Sequence, residues 1–109
     1  MNLAQYPKVQ AEFEHFYYSV DANIISDDVP LVERFYFFPF DFQQGVYDAY
    51  FRSVGIEAES KKHTPFTHKA SVKDKECDIL FEATFDDPIR AKIAALSEAA
   101  RIREEQLNK

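Results

Sequence analysis

Cys77, His63 and His68 are the residues whose types invite catalytic or metal chemistry. A thiolate beside an imidazole is the reactive arrangement of nucleophilic catalysis, and two histidines with one cysteine supply three of the four ligands of a tetrahedral zinc site. Their spacing favours neither use. The histidines stand five residues apart in a lysine-rich segment, and no fourth ligand follows at zinc-site spacing. Cys77 opens an alternating pattern on its inward set, where a free cysteine acts as a small buried hydrophobe. Asp27-Asp28 and Asp86-Asp87 are paired carboxylates, yet each pair falls at a turn or a helix cap, which explains it locally. Glycine-rich phosphate loops, CxxC pairs and HExxH motifs do not occur. The residues therefore imply no metal and no cofactor, and a small enzyme using Cys77 or the His63/His68 loop is the alternative of another class.

The elements that would position these residues belong to a chain of 109 residues, enough for one domain that buries its own core. Eleven Phe and six Tyr supply that core, and two Gly and five Pro leave little for flexible linkers. A single cysteine cannot close an intramolecular disulfide, and no stretch pairs a basic start with a long apolar run. The expected place is the cytoplasm, without a membrane partner. Net charge is −6, and it is uneven: residues 1–59 hold ten acids against three bases, residues 60–109 nine against ten. Phosphate backbones repel such a surface, so direct nucleic-acid binding is not expected, whereas a basic protein is attracted.

Val9, Phe13, Phe16, Tyr17 and Val20 recur at helical spacing and predict an amphipathic helix over 7–20. Asp27-Asp28-Val29-Pro30 marks a connection. Residues 31–40 are apolar on both faces of a period-two ladder, which predicts a central strand covered on both sides. Asp41 then reads as the cap of a helix over 42–54, with Gln44 as its reciprocal partner and Gly55 as its left-handed terminator. Ile56, Ala58 and Ser60 alternate with Glu57, Glu59 and Lys61 in a short strand near an edge. Residues 62–75 read as a charged loop or an edge strand. Cys77, Ile79, Phe81, Ala83 and Phe85 alternate against Glu76, Asp78, Glu82 and Thr84 in a further strand. Asp87 caps the last helix, Pro88 takes its first position, and residues 103–109 have little to bury and are expected to project.

This order describes an α+β fold, an incomplete ferredoxin-like sandwich with both later helices on one sheet face and an extra N-terminal helix across the other. Glu57, Glu59, Glu76, Asp78 and Glu82 then line the face opposite the two helices. With Asp27 and Asp28 they form an acidic surface for docking a basic protein. The sheet edge beside the last strand offers a route to a homodimer.

The stretch from Asp28 to Ser60, with Glu33-Arg34-Phe35-Tyr36-Phe37 and Gly55-Ile56-Glu57-Ala58, resembles the ribonuclease E inhibitor family called regulator of ribonuclease activity B. The resemblance resumes at Glu76-Cys77-Asp78-Ile79-Leu80 and runs through Pro88 to Ala100. That family closes with a Trp-containing strand, and this sequence has no Trp. The resemblance implies a non-catalytic regulator that binds and restrains an endoribonuclease, or a toxin in an immunity or antidefence role on a mobile element.

Overall fold

The structure, a computed structural model, describes residues 3–24 and 31–109, with side chains of residues 20–24 excepted. Asp27 and Asp28 lie outside the described residues. A 3-10 turn over Leu3–Gln5 leads into α1 (Pro7–Ile24), followed by the single turn α2 (Val32–Phe35) and α3 (Phe40–Ser53). Strands β1 (Ile56–Thr64), β2 (Thr67–Asp74) and β3 (Ile79–Phe85) form an antiparallel meander in that order, and α4 (Pro88–Leu107) follows. The architecture is α+β, a three-stranded antiparallel sheet packed against helices, in keeping with an incomplete ferredoxin-like sandwich.

Residues 31–40 form helix and turn rather than the expected strand. An aromatic run such as Phe35-Tyr36-Phe37-Phe38 carries no period of its own, and here Val32, Phe35 and Tyr36 stand at helical spacing, with Val32 and Phe35 each 2% exposed. Their backbone is held from outside the turn. The Val32 amide donates to the Tyr18 hydroxyl at 3.0 Å, and the Gln43 side-chain amide donates to the carbonyls of Phe35 and Tyr36 at 3.0 and 3.1 Å. Buried Gln43, not Gln44, thus joins α2 to α3. Asp41 lies in the first turn of α3, whose N-cap is Pro39 without a side-chain bond, so the expected capping box does not form. Gly55, at φ +81°, does end that helix as expected, its amide bonding to the Arg52 carbonyl at 3.1 Å.

The core lies between the helices and one sheet face. Ile56, Ala58, Ala70 and Val72 point into it from β1 and β2, joined by the half-buried Phe81 and Phe85 of β3. Residues 62–75 complete β1 and then supply β2, which is the central strand and not a loop or an edge. Its lysines hid it, because they fall on the uncovered face while Ala70 and Val72 are fully buried.

The first helix packs against α3 and α4 rather than across the sheet's other face. Fully buried Phe13 is its anchor, with ring centroids 5.0 Å from Tyr47, 5.6 Å from Phe35 and 5.5 Å from Tyr50 in an edge-on pair. Tyr47 has no hydrogen-bond partner for its hydroxyl among the described residues, and burial pushes that group up to about 12.

The end of α4, expected to project, is tied to α1. Arg103 grips the Glu12 carboxylate with two nitrogens at 2.8 and 2.9 Å, and the Tyr50 hydroxyl donates to the same carboxylate at 2.7 Å. Glu104 accepts from the Val9 amide at 2.9 Å, satisfying a first-turn donor of α1 that has no partner within its own helix. A carboxylate there also meets the positive end of the helix dipole. Asp87 and Pro88 begin α4 as expected, with the Ile89 amide donating to Asp87 at 2.8 Å.

Candidate functional site

The helices cover one face of the sheet, and the other carries alternate residues of each strand. Glu57, Glu59 and Lys61 of β1, Lys69, Ser71 and Lys73 of β2, and Glu82 and Thr84 of β3 share it. Glu57, Glu59 and Glu82 therefore face outward as the alternation required. Their charges are not free to the same extent. Glu59 lies 3.4 Å from Lys61 and 3.9 Å from Lys73, and Glu82 lies 3.2 Å from Lys69. Because β2 is a strand, its lysines stand between the acids of β1 and β3 and turn most of the face into a lattice of opposite charges.

Glu76 and Asp78 are not on the strands. Lys75, Glu76 and Cys77 form the loop of the β2–β3 hairpin, closed by the Asp74 amide bonding to the Asp78 carbonyl at 3.1 Å. The Asp74 side chain accepts from the amides of Glu76 and Asp78 at 3.0 and 2.9 Å, an aspartate turn that fixes the loop from within. Cys77 takes the left-handed position of this three-residue loop, at φ +66°, and is exposed. The expectation of a buried, inward Cys77 is thus corrected: the strand begins at Ile79, and Cys77, two residues earlier, turns the chain. A bulge at Leu80 shifts the register between Val72 and Lys73.

Glu57, Asp74, Glu76 and Asp78 gather at this end of the sheet, and none forms an ion pair among the described residues. Glu57 and Asp74 line a small groove of about 170 Å³ together with Arg52, Lys75 and Cys77. Lys73 stands opposite Glu57 but reaches Glu59, so four acids meet three bases with Arg52 and Lys75, and this end stays net acidic. Glu59 and Glu82 lie further along the face in their ion pairs.

The opposite end is the β1–β2 hairpin, where His63 and His68 are found. From His68 to Asp74 is six residues of strand, about 20 Å at ~3.3 Å per residue, so Cys77 and the histidines cannot form a catalytic pair. Among the described residues no group of three or more His, Cys, Asp or Glu is arranged to hold a metal ion. A larger groove of about 310 Å³ runs between the starts of α3 and α4 and is lined by Phe40, Gln44, Ser60, Ile89 and Lys92. Its cation is engaged: the Lys92 ammonium lies 2.8 Å from Asp48 and donates to the Ala58 carbonyl at 2.9 Å. Among the described residues no helix is long and apolar enough to cross a membrane.

The hairpin tip, residues 61–69, is not among the expected site residues. Thr64-Pro65-Phe66-Thr67 between two alternating segments was the available signal, because proline pre-sets the first corner of a tight turn. No protein-family model, curated protein or solved structure matches the chain.

Proposed function

We propose that this chain is a non-catalytic protein-binding regulator that restrains a nuclease or other nucleic-acid enzyme by covering a basic region of it. The observation that carries the reading is the acidic end of the sheet, where Glu57, Glu76 and Asp78 are exposed and unpaired beside Asp74. Carboxylates already desolvated by neighbouring lysines gain little from a new partner, whereas free ones form charge-assisted hydrogen bonds with arginine or lysine. The aspartate turn holds them in place before binding, which lowers the entropy lost on docking. The resemblance of residues 28–60 and 76–100 to the ribonuclease E inhibitor family supports the same class of partner. A cytoplasmic setting fits an exposed, unpaired thiol at Cys77.

Charge reversal tests the reading. The Glu57→Lys/Asp78→Lys double variant keeps the bonds of the loop, since these run between backbone groups or to the Asp74 side chain. A tagged wild-type chain should retain a nucleic-acid enzyme from its native cell extract, identified by mass spectrometry, and the purified enzyme should slow on addition of the chain. The double variant should lose both effects. Equal retention and inhibition by the two proteins would sink the docking surface.

A further inference from the structure

The β1–β2 hairpin has residues that its fold does not use. Between Ser60 and Asp74 the chain carries Lys61, Lys62, Lys69 and Lys73 with His63 and His68, and no acid. The register sets like beside like: Lys61 lies directly opposite Lys69, and Lys62 opposite His68. Like charges directly opposite one another weaken a strand pair. Lys61 and Lys69 are partly offset by Glu59 and Glu82, and Asp86, the next acid beyond β3, pairs with Arg90 at 3.8 Å. Lys62, His63 and His68 form no ion pair among the described residues.

Phe66 sits at the tip and is 83% exposed. Its turn is closed by the contact of the Thr64 and Thr67 hydroxyls at 2.6 Å and by the Phe66 amide donating to the Thr64 hydroxyl at 3.3 Å, so the ring does nothing for it. The slot usually holds a small or polar residue. An apolar ring held in water between cations is a feature that folding does not require.

We infer that the β1–β2 hairpin tip binds single-stranded nucleic acid, with Phe66 stacking on a base and Lys61, Lys62 and Lys69 meeting the phosphates on either side. An exposed ring among cations is how sequence-tolerant single-strand sites are built, since every base has a face to stack. An acidic peptide would use the lysines but has no flat partner for the ring. An anionic membrane would need more apolar area than one phenyl ring to hold the chain. Duplex bases hide their faces, so a single strand is the fitting form. The net charge of −6 does not forbid this, because the acidic end lies about 20 Å away, beyond the ~8 Å screening length at physiological salt. The inference rests on the opposite end of the sheet from the proposed docking surface, and each can fail alone.

The test is fluorescence anisotropy of the full chain with labelled single-stranded RNA and DNA, at several salt concentrations. The RNA and DNA arms show whether the sugar matters. Binding should weaken with salt at a log–log slope between about −0.7, for unpaired Lys62 alone, and about −2, where Lys61 and Lys69 exchange Glu59 and Glu82 for phosphates. Phe66→Ala should weaken it about 5- to 150-fold, the range for one stacked base, and Lys62→Glu should weaken it and flatten the slope. Both positions are exposed, so both variants should unfold at the wild-type temperature. Absence of binding at low salt, or binding unchanged in Phe66→Ala, overturns the inference. So does equal affinity for a duplex, for a polyglutamate peptide or for anionic vesicles, each of which would reassign the tip to that partner.

Discussion

Under the helices the sheet presents Ile56, Ala58, Ala70 and Val72, none more than 7% exposed, while the same strands present Glu57, Glu59, Lys69, Lys73 and Glu82 on the other side. On the covered side, stability comes from apolar burial and from a few polar groups that bridge helices far apart in sequence. On the open side, neighbouring charges neutralise one another and only the two ends are left unmatched. Uniqueness of fold and capacity to bind are thereby assigned to different faces of three strands. The covered face tolerates little change, and the open face can change its charge without losing the fold.

The sharpest way to break this contrast is to remove Glu12. Its carboxylate holds Arg103 and the nearly buried Tyr50 hydroxyl, so it joins α1, α3 and α4 at one point. Glu12→Ala leaves a partly buried guanidinium and a buried hydroxyl without their acceptor, and should cost about 2–3 kcal/mol by chemical denaturation. The dependence on pH has a defined sign. The Arg103 hydrogen bonds, helped by that of Tyr50 and opposed by desolvation, hold the Glu12 carboxyl below its ordinary value of 4.5. A depressed carboxyl contributes stability that is present in full above the unfolded value and is lost as pH falls through the folded one. The gap between wild type and Glu12→Gln should therefore be constant near neutrality and shrink below about pH 4. A gap that grew in acid would remove Glu12 from this role.

What could be read from the sequence, and what could not, divides along the same line. Asp87-Pro88, Gly55 and the outward parity of Glu57, Glu59 and Glu82 are local signals, and each falls where the spacing put it. The Arg103–Glu12 grip joins residues 91 apart, and nothing near residue 103 announces it. Residues 31–40 were ambiguous because four consecutive aromatics, Phe35 to Phe38, satisfy a helical and a strand period alike. The candidate acidic surface was half legible for a related reason. Its acids could be placed by alternation, but the lysines that neutralise Glu59 and Glu82 belong to β2, which charged flanks and Pro65 disguised as a loop.

A smaller effect is expected at the acidic end, where the open side stores strain. Cys77 adopts φ +66°, a region that costs a non-glycine residue roughly 1–2 kcal/mol. Cys77→Gly relieves that cost and gives back part of it through the greater freedom of glycine in the unfolded chain. The side chain is exposed and removes no core contact. The variant should be more stable by about 0.5–1 kcal/mol, and thermal melting would register it as a rise of a few degrees. A destabilised variant would mean that the thiol contributes to the loop in a way its exposure does not suggest.

The smallest effect should come from the middle of the open face. Glu59 lies between Lys61, 71% exposed, and Lys73, 31% exposed, at separations of 3.4 and 3.9 Å. The Glu59 Oε2 oxygen that meets both lysines is covered, but the two ammonium groups stay in contact with water, so the pairs gain little once the long side chains lose the freedom to form them. Glu59→Gln should shift stability by less than about 0.5 kcal/mol, and added salt should shrink even that. It also frees Lys61, which raises the positive charge beside the hairpin tip. If the tip binds single strands, this variant should bind them more tightly while melting like wild type. A loss above about 1 kcal/mol would instead make the open face part of the core's support, and the division of labour between the two faces would fall.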